Sequence, residues 1–234
     1  MNILLRKIKK KRGKNMKIGL ALSGGGVKGA AHIGVLKALE ENGIQVFAVA
    51  GTSIGSAVAS LYAMGYTPEE MLHLFNYFAK SLLKADPKYL MSNIRTTKSI
   101  LGNGILSGEA IEEAIAECAK LKQIHTITDI KMPIAIPAVD IKTKQKIVFT
   151  NIEQPKEVGI YITKMEIGKA VRASCSYPGV FAPLEYKGYK LVDGGVLNNV
   201  PAEELPLLGV DKILVVKFPP KENENPTHAL DSLF

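Results

Sequence analysis

Ser53 stands between two glycines in Gly51-Thr52-Ser53-Ile54-Gly55, directly behind the apolar run Val46-Phe47-Ala48-Val49-Ala50 and ahead of the small-residue run Ser56-Ala57-Val58-Ala59-Ser60-Leu61. A serine at the apex of a strand-turn-helix bend exposes its hydroxyl, and the first N–H groups of the helix point at whatever that hydroxyl attacks. The chemistry on offer is nucleophilic attack on a carbonyl, with Gly51 and Gly55 letting the elbow close. Alone, the five-residue pattern turns up by chance in about one chain of this length in ten. An ordinary βα turn with Ser53 as a helix N-cap competes with it. The strand before and the helix after favour the nucleophile.

A second glycine-rich segment, Gly24-Gly25-Gly26-Val27-Lys28-Gly29, lies between the apolar run Lys17–Ser23 and a helical pattern that stops near Gly43. It fits the dinucleotide fingerprint, but that reading needs an acidic residue at the end of the next strand, where Gly51-Thr52-Ser53 stands instead. A Walker loop fails too, because Gly29 is followed by Ala30. If the two strands are parallel neighbours, their ends share one sheet edge. Backbone N–H groups of Gly25 or Gly26 could then join that of Ile54 around the oxyanion of a tetrahedral intermediate. Lys28 reads as a loop anchor, a headgroup contact or a solvated side chain rather than a base.

The nucleophile needs a base. Asp193-Gly194-Gly195 follows the apolar stretch ending at Val192, and two glycines would let an aspartate turn into a site, although an Asp-Gly pair is more often a turn. His32 and His73 fall in helical patterns and His125 in a polar connection. His228 alone follows Asp193, in a tail with little to hold it, which argues against a Ser-Asp-His triad.

These groups need a scaffold. Strands are expected over 17–23, 46–50, 133–140, 146–150, 186–192 and 212–218, the third and fourth paired around the turn 142–145. Helices are expected behind the glycine loop, over 54–64, from the Thr67-Pro68 cap to about Lys84, over 109–121 capped by Ser107, from a Thr163-x-x-Glu166 capping box toward Ser174, and briefly over 201–208. Strands alternating with helices predict a three-layer α/β/α fold around a largely parallel central sheet. Residues 85–108 lack a clear period and read as a cover over a site or as a purely structural irregular loop. The expected organisation is a basic arm over 1–15, one domain over 16–218 and a linker-like tail over 219–234.

The glycine loop, the elbow so soon after it and the late Asp193-Gly194-Gly195 together resemble the patatin-like phospholipase family, over about Lys17 to Phe218 and including Arg172-Ala173-Ser174 through Pro178 and Phe181-Ala182-Pro183. The resemblance implies a Ser-Asp dyad without histidine: Ser53 as nucleophile, Asp193 as base, Gly24–Gly29 as oxyanion loop, with Lys28 where arginine is also common, and Gly194 and Gly195 completing the aspartate motif. It implies a lipid acyl hydrolase acting on phospholipid, lysophospholipid or another acyl ester, with no cofactor and no metal. Acyl transfer to another alcohol would use the same residues. A non-catalytic membrane adaptor would have no need of all three motifs.

Composition sets the outer bounds. The 234 residues are 47% apolar, enough for a substantial core. No run approaches the roughly 18 apolar residues of a membrane span. Cys118 and Cys175 lack metal-ligand spacing, and no secretory signal core is present, so a cytoplasmic location is expected. Seven of the 30 basic residues and none of the 22 acidic ones fall in residues 1–15, leaving 23 against 22 elsewhere. A polybasic arm of this kind suits peripheral contact with an anionic inner membrane surface, or is simply solvated. With no basic stripe interleaved with aromatics, no nucleic-acid partner is expected. The dyad reading predicts that Asp193→Asn abolishes formation of an acyl-enzyme while His228→Ala leaves it intact, as read by mass spectrometry of the trapped intermediate; the reverse pattern would mean a triad.

Overall fold

The computed structural model describes residues 16–82 and 106–218. In chain order these form β1 (Ile18–Leu22), α1 (Ala30–Glu41), β2 (Val46–Gly51), α2 (Ile54–Ala63), α3 (Pro68–Leu82), α4 (Glu109–Leu121), β3 (Ile134–Asp140), β4 (Gln145–Thr150), β5 (Ile160–Ile162), α5 (Ile167–Cys175), β6 (Leu184–Tyr186), β7 (Tyr189–Asp193) and β8 (Lys212–Val216), with short 3₁₀ turns between them. The expected arm, the tail, Leu83 and Lys84 at the expected end of the third helix, and the cover as far as Ile105 lie outside the described residues.

The strands form one mixed sheet with the path β5-β4-β3-β2-β1-β8, and the central pairs β3-β2, β2-β1 and β1-β8 are parallel. Alternation along the strands divides the core. Leu20 and Leu22 of β1, Ile134 and Ile136 of β3, and Ile147 and Phe149 of β4 face the α-helices, meeting Leu36, Val58, Met71, Ile115 and Val171. Each such side chain, fully buried, contributes roughly 1.5–3 kcal/mol, which is why these strands hold their register. The opposite face presents the small residues Ala21, Ala48, Ala50 and Ala135 to Leu205, which joins the 3₁₀ turns Ala202–Glu204 and Pro206–Leu208, and to Leu208 of the second. The fold is therefore the expected α/β one, with 3₁₀ turns as the thin layer of this face among the described residues.

Three local expectations are revised. The stretch 186–192 is not one strand but the arms of the hairpin β6-β7, turning at Lys187 and Gly188, whose φ values of 46° and 89° make the mirror-image turn that matches strand twist. Thr163-x-x-Glu166 does not open α5: β5 ends only at Ile162, the chain spends the next residues leaving the sheet edge, and Glu166 is itself the N-cap. A capping box does open α3, where Thr67 N–H meets Glu70 Oε2 (2.7 Å) and Glu70 N–H meets Thr67 Oγ1 (3.2 Å). Ser107 is not the N-cap of α4: Gly108 holds that position, and Ser107, one residue earlier, accepts the Glu109 N–H (3.3 Å).

One strand edge decides where the site lies. β2 pairs with the first part of β3, Val49 with Ile134 and Ala50 with Ala135, while β7 arrives from the other direction and pairs Asp193 with Ala138 on the same edge. Ile136 and Pro137 are left in the gap. A proline inside a sheet is normally costly because it cannot donate to a neighbour, and here neither β2 nor β7 asks it to. Gly194 makes the close approach possible, since a Cβ there would stand 2.5 Å from the Pro137 carbonyl oxygen. Gly194→Ala is expected to destabilise the fold by about 1–3 kcal/mol through this overlap. Gly34→Ala, in the interior of α1 with nothing within 4 Å of the new methyl, is expected to stabilise by about 0.5–1 kcal/mol. Urea denaturation of both variants checks the pair; equal effects would contradict the packing described.

Candidate active site

The end of β2 is bent by backbone contact rather than by side chains. A Cβ on Gly51 would overlap the Gly55 carbonyl, and one on Gly55 would overlap the carbonyls of Leu22 and Ser23 at the end of β1. The two glycines therefore let α2 start against the sheet edge, and Ser53 takes the bend, with φ 54° and ψ −130°. For a non-glycine residue such backbone costs on the order of 1–3 kcal/mol and persists only where the surroundings enforce it. Ser53 carries its own restraints: its carbonyl accepts from Ser56 N–H (2.7 Å) and Ser56 Oγ (2.6 Å), and its N–H donates to Ser174 Oγ (3.0 Å).

The glycine loop lies against this elbow. A Cβ on Gly29 would overlap the Ile54 side chain, and one on Gly24 would stand 3.1 Å from Ser53 Cβ. Gly24 donates its N–H to Asn199 O (3.2 Å), and Lys28 N–H closes on Gly25 O (3.2 Å). The N–H groups of Gly25, Gly26 and Ile54 make no hydrogen bond among the described residues. That of Ile54 begins α2, where the helix dipole favours negative charge. Lys28 is exposed at the loop tip. Behind the loop, buried His32 bonds Ser23 O through Nε2 (2.8 Å) and rests on the Phe218 ring at 4.8 Å. Burial lowers its pKa, which keeps it neutral.

Asp193 ends β7 with 2% exposure. Its N–H is held by Ser176 O (3.0 Å) and its Oδ1 accepts the Gly195 N–H (2.7 Å), while the buried Oδ2 has no hydrogen-bond partner among the described residues. Burial pushes the carboxyl pKa up to about 6, against the opposing pull of the Ser53 hydroxyl and the Gly195 N–H. Cys175, a buried free thiol, packs beside the same groups, its Sγ 4.0 Å from Ser56 Oγ. Burial, and then the Asp193 charge, push its pKa up, so it stays an uncharged thiol.

Thus Ser53, Ile54, Gly51, Gly55, the loop Gly24–Gly29 and Asp193-Gly194-Gly195 meet at one sheet edge. His73 and His125 are exposed, His228 lies outside the described residues, and no histidine among the described residues bonds to Ser53 or Asp193. Two residues at the site have no role that sequence reasoning assigns. Ser174 bonds the elbow directly. Asn199 presents its Oδ1 where a Cβ on Gly24 or Gly195 would be, at 2.5 and 3.2 Å. Its only sequence signal is a pair of asparagines soon after a turn motif.

A family model described as Patatin-like phospholipase matches residues 20–206. An uncharacterized NTE family protein of Mycobacterium tuberculosis is 34% identical over 200 residues, covering 86% of this chain and 48% of that protein. Lysophospholipase NTE1 of Meyerozyma guilliermondii is 31% identical over 219 residues, covering 94% of this chain and 14% of that protein. The chain thus spans about half the length, or much less, of these relatives. Among solved structures, VipD from Legionella pneumophila shares the fold, with a TM-score of 0.52 at 16% identity over 93% of this chain and 53% of that one.

The raised pKa of Asp193 has a stability consequence. A carboxyl near 3.8 when unfolded and about 6 when folded favours the native state fully below the lower value, and that advantage is lost as pH rises through the upper one. Over that window the loss is on the order of 3 kcal/mol. Asp193→Asn keeps the shape and removes the charge, so thermal melts should show it more stable than wild type at pH 8, by about 6–12 °C, and nearly equal at pH 4. A variant less stable at pH 8 would contradict the buried-charge account.

Proposed function

The chain belongs to the patatin-like phospholipase family, and we propose that it hydrolyses carboxylic esters of membrane lipids, phospholipid or lysophospholipid, through an acyl-enzyme on Ser53 with Asp193 as base. One observation carries this reading: a fully buried carboxyl with an unpartnered oxygen and a raised pKa beside a serine held in strained backbone. A solvated aspartate is a poor base toward a hydroxyl. Burial raises its proton affinity and would strengthen a hydrogen bond accepted from the Ser53 hydroxyl.

In the first half-reaction Asp193 takes the Ser53 proton as Oγ adds to the ester carbonyl. The oxyanion forms against the N–H groups of Gly25, Gly26 and Ile54, which make no hydrogen bond among the described residues. Collapse breaks the ester C–O bond, and the proton on Asp193 passes to the departing alkoxide. Water then attacks the acyl-enzyme, giving its proton to Asp193, and Ser53 recovers a proton as the fatty acid leaves. The lysophospholipase named among the relatives supports a lipid ester as substrate. The basic arm adds attraction to anionic bilayers.

The test is lipid analysis of defined vesicles, with and without lysophospholipid, treated with wild type or Ser53→Ala. Free fatty acid should appear with wild type alone, and kcat/KM should rise with pH through a midpoint of about 6 and then level, because Asp193 must be ionised to accept the proton. Acyl product found only on an added alcohol would identify a transferase instead. Equal release by Ser53→Ala would remove the nucleophile assignment.

A further inference from the structure

Three successive residues at the end of α5 reach both halves of the site. Ser174 Oγ accepts the Ser53 N–H (3.0 Å) and donates to Pro137 O (2.7 Å); Cys175 Sγ packs 4.0 Å from Ser56 Oγ; Ser176 O accepts the Asp193 N–H (3.0 Å). All three are buried. They fill the gap on the β3 edge between the last paired residue of β2, Ala50, and the terminal residue of β7, Asp193.

The Ser174 bonds have only one direction. An amide N–H can only donate and a carbonyl can only accept, so the Ser174 hydroxyl must give its hydrogen to Pro137 and offer a lone pair to Ser53. One side chain thereby completes two peptide groups that the sheet leaves unpaired, one on the strand against which Asp193 pairs and one on the residue that carries the nucleophile. It also holds the N–H of the one residue at the elbow whose φ of 54° needs outside support.

We propose that Ser174 is a positioning residue: its hydroxyl sets Ser53 relative to Pro137, and so fixes the approach of Ser53 Oγ to the Asp193 carboxyl. This rests on the Ser53-Asp193 reading above. Without the hydroxyl the strained peptide loses its acceptor and relaxes, and the Oγ swings away from the carboxyl. Misplacements of about 1 Å cost on the order of 100-fold in rate. The loss falls on kcat, because Ser174 is fully buried and its hydroxyl bonds the backbone of Ser53 and Pro137.

The experiment measures the rate of fluorophosphonate labelling at Ser53, together with kcat and KM on a short-chain nitrophenyl ester, for wild type, Ser174→Ala, Ser174→Thr and Ser174→Cys, with folded fraction followed by circular dichroism. Labelling rate and kcat of Ser174→Ala should fall about 10- to 100-fold, with KM within twofold and the folded fraction unchanged, and Ser174→Thr should recover most of both. Should Ser174→Ala not fold, Ser174→Cys, which keeps the volume but only a weak donor and acceptor, is expected to show the same selective loss. Labelling and kcat within twofold of wild type in a folded Ser174→Ala or Ser174→Cys overturn the proposal, as does a folded Ser174→Thr no better than alanine. Labelling that survives Ser53→Ala overturns the dyad reading itself, whatever Ser174 does.

Discussion

Everything at this site depends on one edge of β3 serving two strands. β2 runs parallel along it and leaves after Ala50; β7 runs antiparallel and stops at Asp193, opposite Ala138. Strand ends that face each other across two residues bring a serine and an aspartate to the same site. They also create a problem, because backbone groups in the gap lose their ladder partners inside a water-free core. The answer is distributed over neighbouring residues: Pro137 has no N–H to leave unpaired, Ser174 takes its carbonyl, and Ser176 takes the N–H of Asp193.

The same edge fixes the covalent constraints. Gly194 is needed where the chain passes over the Pro137 carbonyl, and Gly51 and Gly55 where α2 is driven against the ends of β1 and β2. Arg172 ties the rear of the assembly, joining Glu112 of α4 (2.8 Å) and the Ser107 carbonyl (3.0 Å) to α5. With side-chain exposures of 16% and 20% this ion pair is largely withdrawn from solvent. Its value lies in holding α5 in place, since a shift of α5 would move Ser174, Cys175 and Ser176 together.

Sequence made the chemistry easier to read than its supports. Periodicity and turn residues located β1, β2, α2 and the loop between them, because glycine spacing there answers a local steric demand that any reader of the chain can see. The same local logic placed Asp193 at a turn but could not bring it to Ser53, since 140 residues and the antiparallel arrival of β7 intervene. It missed the β6-β7 hairpin because Lys187-Gly188 interrupts an otherwise continuous strand pattern, and it misplaced the start of α5 because a capping-box spacing holds no information about where β5 ends. Ser174 was invisible for a different reason: a buried serine near a helix end looks like any small core residue until its two backbone partners, 121 and 37 residues away, are known.

Two costs at the site, the backbone of Ser53 and the buried charge of Asp193, are of similar size. Each is a few kcal/mol, a large share of the roughly 5–15 kcal/mol by which domains are stable. An imidazole between them would remove the need for the second, because a neutral base can be buried at little penalty while its carboxylate partner stays solvated or well bonded. Here the head-on strand ends leave the carboxyl itself as the group beside the hydroxyl, and one of its oxygens has no partner among the described residues. Burial raises the proton affinity and the open oxygen preserves it, since a second N–H like that of Gly195 would pull the pKa back toward its solution value and weaken Asp193 as a base. On the proposed reading, the unsatisfied atom is therefore the functional one, and the fold tolerates it because the surrounding sheet, glycines and α5 supply enough buried surface to hold a destabilised pair in place.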